Sequence, residues 1–282
     1  MHIRLRKWVK VLIFIIIICT LFFLYSRYIE TNLFNIKEYP VVNSNIPSNF
    51  YGLKIVQISD IHYKSINDKK YLNKVVKKIN LLKPDIVILS GDLFDSNIKY
   101  SKSDYEDLVN ILKNINYNIG KYAIIGEEDN LDKWNYVIEN SDFINLNDNF
   151  DFIYNEGLDP ILLVGISSNY KNNHIKSTMN EIYSKINIDY KYSILVLHEP
   201  DFIDDINYNK FNLILAGHSH KGEIVLPFIN GIIKKKYSSK YFDDYYNLDN
   251  TELYISSGLG TGKYKLRFLN PPSINFYRLR NK

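Results

Sequence analysis

The chain has 282 residues, with 35 Lys and Arg against 31 Asp and Glu and a single cysteine. Four of the basic residues, Arg4, Arg6, Lys7 and Lys10, precede residue 11, so the remaining 31 balance the 31 acids and the body has no excess positive charge with which to hold nucleic acid. The lone cysteine, Cys19, lies in an apolar leader, which excludes disulfides and thiol catalysis from the rest of the chain.

In that leader, only Cys19 and Thr20 interrupt a run of large apolar side chains from Val11 to Leu24. Fourteen helical residues span roughly 21 Å. Trp8, Val9, Tyr25 and a snorkelling Lys10 lengthen the stretch to about 18 residues, enough for one crossing of a ~30 Å hydrocarbon layer. Basic residues ahead of the run, with only Arg27 soon after it, favour a cytoplasmic N-terminus and a single-pass protein of the cell membrane whose bulk is extracytoplasmic. A cleaved signal peptide has the same outline, but Tyr25-Ser26-Arg27-Tyr28 offers no small-x-small cleavage site. Ile18 stands where lipidation of Cys19 would need a small residue. Residues 1–28 are therefore read as a cytoplasmic stub and transmembrane anchor, 29–50, with Pro40, Pro47 and scattered Asn, as a tether, and 51–282 as one domain.

From Leu53 onward, apolar strands alternate with amphipathic helices. Leu53 to Ile58 ends in Ser59-Asp60-Ile61-His62, and Asp68 to Leu82 sets Leu72, Val75, Val76 and Ile79 on one helical stripe. Pro84 stops that helix, and Ile86 to Leu89 delivers Gly91-Asp92-Leu93-Phe94-Asp95. A helix from Ser103 to Ile115, a strand from Tyr122 to Ile125 ending in Gly126-Glu127-Glu128-Asp129, and a helix from Leu131 to Glu139 follow. Strands at 150–153 and 161–164, a helix from Lys171 to Ile186, and a strand from Ser193 to Leu197 lead to His198-Glu199-Pro200-Asp201. After a short helix at 201–206, Asn212 to Ala216 ends in Gly217-His218-Ser219-His220, and the strands expected at 223–226, 253–256 and 275–279 have no long helices between them. Buried strands with helical crossovers define a layered α/β domain, in which ligands sit beyond the carboxyl ends of the strands. All five clusters fall at that end.

A single Asp-x-His is ordinarily a surface loop, but satisfied surface loops have no reason to gather His and Asp at one edge. Carboxylate and imidazole together suit Mn, Fe, Zn or Mg. Asp92, on a tight turn at Gly91, is the natural carboxylate to lie between two divalent ions about 3.5–4 Å apart. His218 and His220 flank Ser219, so their rings diverge and can serve one ion each. Asp95 reads as a group that orients a histidine or the turn, and Lys234-Lys235-Lys236 as solvated surface.

The set Asp-x-His, Gly-Asp-x-x-Asp, a Gly-x-x-Asp turn, His and Gly-His-x-His resembles the calcineurin-like metallophosphoesterase superfamily over about residues 51–280. The leader, the Gly217-His218-Ser219-His220-Lys221-Gly222 run, and the tail from Gly258-Leu259-Gly260 to Arg267 and Asn270-Pro271-Pro272 are similar to its bacterial membrane-anchored branch. The resemblance implies a four-layer α/β/β/α sandwich and two divalent ions. It places Asp60, His62, Asp92 and His220 on the first ion, and Asp92, Glu127, His198 and His218 on the second. The chain departs from the family where Asn and His are expected, with Glu127 and Glu128, and Lys221 and Glu223 replace a usual Gly and Gln. Glu128 and Asp129 occupy the catalytic positions, where the family histidine serves the leaving oxygen. A carboxylate can do so only if its pKa is raised enough to keep it protonated.

The expected reaction is in-line attack of an activated water on phosphorus, with an ester or anhydride of phosphoric acid as substrate. The expected partners are a phosphorylated small molecule or lipid substrate and the lipid bilayer itself; tethering brings lipid phosphates and cell-envelope precursors near at high local concentration, and Tyr241, Phe242, Tyr245 and Tyr246 suggest an aromatic lip toward lipid. A monomer is expected. The competing reading is a metal-binding surface module of little activity, supported by the loss of the Asn-His pair.

Overall fold

A computed structural model describes residues 6–168, 175–228 and 231–281. Lys7–Leu24 forms helix α1, none of whose residues is buried. The apolar helical stretch Lys7–Asn32 is long enough to cross a membrane.

The segment expected to be a tether is part of the domain. Asn35–Val42 is strand β1, paired in parallel over eight residues with the last strand of the chain. Pro40, which suggested a linker, is tolerated because β1 is the edge of its sheet, where a missing N–H costs no ladder bond. The first sheet continues with β2 (Lys54–Ile58), β3 (Ile86–Ser90), β4 (Gly120–Ile124) and β5 (Ile144–Asn145). The second contains β6 (Asn149–Ile153), β7 (Ile161–Ile166), β8 (Tyr192–Leu197), β9 (Leu213–Ala216), β10 (Tyr245–Leu248) and β11 (Thr251–Ile255), and β12 (Ser273–Arg280) returns to the first. The strand orders are β1-β12-β2-β3-β4-β5 and β10-β11-β9-β8-β7-β6.

Successive residues of a strand face opposite ways, so each sheet builds two cores. Val56, Ile58, Val87 and Leu89 pack outward against α2 (Lys69–Leu82), α3 (Lys102–Lys113) and α4 (Leu131–Asn140) through Leu72, Val75, Ile79, Leu108 and Trp134. Ile55, Ile86 and Ile88 face the other sheet and meet Leu163, Ile194, Val196 and Leu215. On the far side Leu162, Leu195 and Ile214 cover Met179 and Ile182 of α5 (Ile175–Lys185). The domain is thus the four-layer α/β/β/α sandwich that the resemblance implied. Covering both faces of each sheet explains why its strands read as unbroken apolar runs.

Element ends follow local chemistry. Asp68, expected to open α2, is its cap, accepting a hydrogen bond from the Tyr71 N–H at 2.7 Å. The expected helix start at 171–174 lies outside the described residues. The strand expected at 223–226 does not form. Lys221, Gly222 and Glu223 all have positive φ, which breaks an extended run, and the segment makes isolated bridges, such as that of Ile224 to Phe268, in place of a strand. The proposed aromatic lip is likewise tied into the domain: Tyr241 is buried in the α5-side core, Tyr245 and Tyr246 lie in β10, and the Tyr246 hydroxyl accepts from the Phe242 and Asp243 N–H groups.

The tail 257–270 is held by Arg267, which is fully buried and donates to the carbonyls of Ser257, Gly258, Gly260 and Asn270. Replacing it by Met leaves those carbonyls without donors in a dry setting. Arg267→Met is expected to lower stability by about 3 kcal/mol, read as an earlier denaturation midpoint. An unchanged midpoint would show that water replaces the guanidinium.

Candidate metal centre

Parallel strands of both sheets deliver the site. Asp60 and His62 follow β2, Asp92 follows β3, the 126–129 turn follows β4, His198 follows β8, and His218 and His220 follow β9. Gln57 ties the sheets beneath it, donating to Ser90 Oγ at 2.8 Å and to the Ala216 carbonyl at 2.9 Å, and accepting from the Tyr277 hydroxyl at 2.7 Å. Asp60, His62, Asp92, His218 and His220 all have φ between 42° and 63°, a region that is sterically costly for residues with a Cβ. The strain is over-determined by packing. Gly91, at φ 98°, lies so close to His198 that an added Cβ would meet its Nδ1 at 2.4 Å.

Three groups of ligand atoms result among the described residues. Asp60, His62 and His220 form one, Asp92, His198 and His218 a second, and His62, Asp92 and Glu128 a third that overlaps both, the atoms of each lying within 4.8 Å of one another. The two rings flanking Ser219 thus join different groups. His62 Nε2 lies 3.3 Å from His220 Nε2, which is 3.0 Å from Asp60 Oδ1. His198 Nε2 sits 3.1 Å from Asp92 Oδ2 and 3.8 Å from Asp60 Oδ1.

Each histidine is pinned by its outer nitrogen. His62 Nδ1 donates to the Phe94 carbonyl at 3.1 Å, His198 Nδ1 to the Ser90 carbonyl at 2.7 Å, and His218 Nε2 to the Lys236 carbonyl at 2.7 Å. His220 Nδ1 faces the Glu223 carboxylate at 3.3 Å. A carbonyl can only accept, so the proton sits outward and the inner nitrogen offers a lone pair, the arrangement that orients metal-ligating imidazoles. Buried Asp92 Oδ2, His198 Nε2 and His218 Nδ1 have no aligned hydrogen-bond partner. Facing lone pairs and an unpaired carboxylate oxygen in a dry pocket are repulsive together and fit a divalent cation between them.

The electrostatics agree for His62 and His218. Burial pushes His62 down to about 4 and His218 down to about 3, so both are neutral ligands near pH 7. Burial alone would raise the Asp60 carboxyl, but the adjoining His220 and His198 hold it well below the ordinary range. His198 runs the other way: burial disfavours its charged form, and Asp92, Glu199 and Asp60 outweigh that and raise it.

The unusual turn is bound to the same centre. The Glu128 N–H donates to Asp92 Oδ1 at 2.9 Å, while the Glu128 carboxylate accepts from the Ser96 N–H at 3.1 Å and lies 3.7 Å from His62 Nδ1. Glu127 reaches toward His218, with Oε2 at 3.8 Å from Nδ1, and is the more exposed of the two. Burial, then the Asp92 charge, raises both glutamic acids above their usual range. Glu127 and Glu128 also line a cavity of about 400 Å³ with Ser96, Ile98, Tyr100 and Lys133. Asp129 accepts from Phe94 N–H at 2.8 Å and Gly126 N–H at 2.9 Å, which fastens the turn, and it lines the same cavity, where burial and then the Asp92 charge raise its carboxyl to about 8. Asp95 organises its own turn by accepting from the Asn97 N–H at 2.9 Å.

Several contributors were invisible in the sequence. The Ser90, Phe94 and Lys236 carbonyls are backbone atoms with no residue signature. Lys235, read as solvated surface, is half-buried, and its charge acts on Asp60, His62, His218, Glu127, Glu128 and Glu223. Glu223 is the carboxylate behind His220, and only its proximity in the chain hinted at that.

With the site in view, comparison with known proteins is direct. The calcineurin-like phosphoesterase profile matches residues 53–222. The chain belongs to that family and is a phosphoric ester or anhydride hydrolase. It is 29% identical to the uncharacterized metallophosphoesterase YkuE of Bacillus subtilis over 91% of this chain and 89% of that protein. It is 24% identical to the UDP-2,3-diacylglucosamine pyrophosphatase LpxG of Chlamydia trachomatis over 90% of this chain and 92% of that one. Among solved structures, the NAD nucleotidase of Haemophilus influenzae matches with a TM-score of 0.46 at 14% identity, over 73% of this chain and 50% of that one.

Gly126 tests how tightly the turn is set. A Cβ there would lie 2.2 Å from both the Asp92 backbone nitrogen and Asp92 Oδ1. Gly126→Ala is expected to displace Asp92 and lower bound divalent metal, measured by elemental analysis of a variant that keeps its native circular dichroism. Unchanged metal content would mean that Asp92 is not a ligand.

Proposed function

We propose that this chain hydrolyses a phosphoester or pyrophosphate bond in a phosphorylated lipid or cell-envelope precursor, at the outer face of the membrane that α1 spans. Two divalent ions would be held by Asp60, His62, Asp92 and His220, and by Asp92, Glu127, His198 and His218. The observation that carries the reading is the ring of inward-facing imidazole nitrogens around the Asp92 oxygen that lacks an aligned hydrogen-bond partner. Bound divalent ions would polarise the attacking water and offset charge on the transferring phosphoryl oxygens.

The protein's own groups set the rest. Lys235 offsets the negative charge that Glu127 and Glu128 bring and attracts the substrate phosphate. Glu128, whose carboxyl burial and then the Asp92 charge hold above its usual range, is positioned by Ser96 and in its protonated form would give a proton to the leaving oxygen as the P–O bond breaks. It thereby takes the role of the family histidine. Asp129 positions that turn, and the adjoining cavity of about 400 Å³ receives the leaving group. Support for the substrate class comes from α1 and from LpxG, whose named substrate joins acyl chains to a pyrophosphate.

Leaving-group dependence tests the assignment. Glu128→Gln is expected to slow hydrolysis of an alkyl phosphoester about 100-fold and to leave a p-nitrophenyl ester, whose leaving group needs no proton, nearly unchanged. Equal effects on both substrates would remove Glu128 as proton donor. Asp92→Ala is expected to abolish turnover of either ester together with metal binding, and retained turnover would contradict the dinuclear reading.

A further inference from the structure

The end of α1 does not leave the domain on a free linker. Phe22, inside the apolar run, packs on Phe268 with ring centroids 4.5 Å apart, and Tyr25 meets the same ring edge-on at 6.2 Å. The Ser26 carbonyl accepts from the Arg267 N–H at 3.0 Å, and the Glu30 carboxylate from the Asn270 N–H at 2.6 Å. Phe22 is two residues short of the end of α1, roughly 3 Å along the axis. Phe268 therefore sits at the depth of the last apolar turn.

Phe268 is also the centre of a small hydrogen-bonded platform. Its N–H donates to the Glu223 carbonyl at 3.2 Å, its carbonyl accepts from Val225 N–H at 2.9 Å, and Ile232 N–H donates to the Ile224 carbonyl at 2.9 Å. From this platform Phe228, Ile232, Tyr264 and Leu269 project as exposed apolar side chains, joined by Tyr28 and Ile29 beyond α1. Lys234, Lys236 and Lys263 on the same segments are exposed, Lys263 with its ammonium 5.9 Å from the centre of the Tyr264 ring. Large apolar side chains next to a membrane helix, rimmed by lysines, are the composition of an interfacial anchor on an anionic lipid surface.

We propose that residues 223–228, 231–236 and 262–269 form a collar around α1 that seats in the bilayer interface. Phe228, Ile232, Tyr264 and Leu269 enter the acyl boundary, and Lys234, Lys236 and Lys263 meet lipid phosphates. The collar rests on the reading that α1 spans a membrane, and it specifies where the metal centre then stands. Leu269 adjoins Asn270, whose Nδ2 donates to the His220 carbonyl at 2.7 Å, and Ile232 is four residues from Lys236, whose carbonyl holds His218. Four residues of chain span at most roughly 14 Å. The centre is held just above the headgroup layer, which suits a substrate whose phosphate is carried by a lipid and whose acyl chains stay in the bilayer.

The test uses the full chain in nanodiscs of phosphatidylcholine and phosphatidylglycerol, with bromine on the acyl chains. In a Trp8→Phe background, one variant carries Phe228→Trp and another Leu158→Trp, at an exposed position on the connection between β6 and β7. Bromolipid is expected to lower several-fold the emission that Phe228→Trp adds to the Trp134 signal of the Trp8→Phe parent, and to leave that added by Leu158→Trp unchanged. Equal emission from the two, in protein that still co-purifies with the discs, overturns the collar while the anchor stands. Failure to co-purify removes the spanning helix, and the collar with it. A second arm separates seating from folding: the combined variant Phe228→Ser, Ile232→Ser, Tyr264→Ser and Leu269→Ser is expected to hydrolyse disc-borne diacylglycerol pyrophosphate about tenfold more slowly than the parent. Its rate on soluble bis-p-nitrophenyl phosphate should match that of the parent, and equal rates on the lipid overturn the proposal.

Discussion

Everything in this domain converges on one electrostatic constraint: lone pairs and carboxylate charge are packed into a pocket that excludes water. Four imidazoles have their outer nitrogens directed to carbonyl or carboxylate partners, so their inner nitrogens face one another and Asp60 and Asp92. Without a cation that arrangement is repulsive, and five of its residues also occupy left-handed backbone, which costs of order 1 kcal/mol or more each. The two packed sheets, the Gln57 cross-tie and the glycines at 91 and 126 supply the rigidity that holds it in place. Stability is thereby exchanged for a pre-formed binding site.

Much of the site was legible because its ligands are side chains at the ends of strongly apolar strands. Asp60, Asp92, His198 and His218 could be placed from the pattern of strand followed by acid or histidine. The four layers were not written in periodicity alone: a buried strand in a two-sheet sandwich has the same unbroken apolar run as one in a single doubly wound sheet, and the resemblance to a known family supplied the difference. The tether reading failed for a physical reason. An edge strand needs few hydrophobic residues and tolerates proline, so Asn35–Val42 has the composition of a linker and is recruited only because β12 offers it a partner.

What remained hidden was carried by backbone atoms and by distance along the chain. No sequence signal marks a carbonyl such as that of Lys236 as the support of a histidine, or joins Glu30 to Asn270 and so to His220 across 240 residues. Those links matter because two hydrogen bonds connect the apolar N-terminal helical stretch to His220 of the candidate metal centre. The Glu127-Glu128 departure is likewise better understood in three dimensions. Ser96 holds the Glu128 carboxylate, burial raises its pKa, and the half-buried Lys235 restores positive charge to the site from a different loop.

X-ray absorption at the metal edge tests the central claim most directly. The manganese-loaded protein should show nitrogen and oxygen ligands together with a metal–metal scattering shell at about 3.5–4 Å. A spectrum of isolated ions with no such shell at full loading would contradict a paired centre built on Asp92.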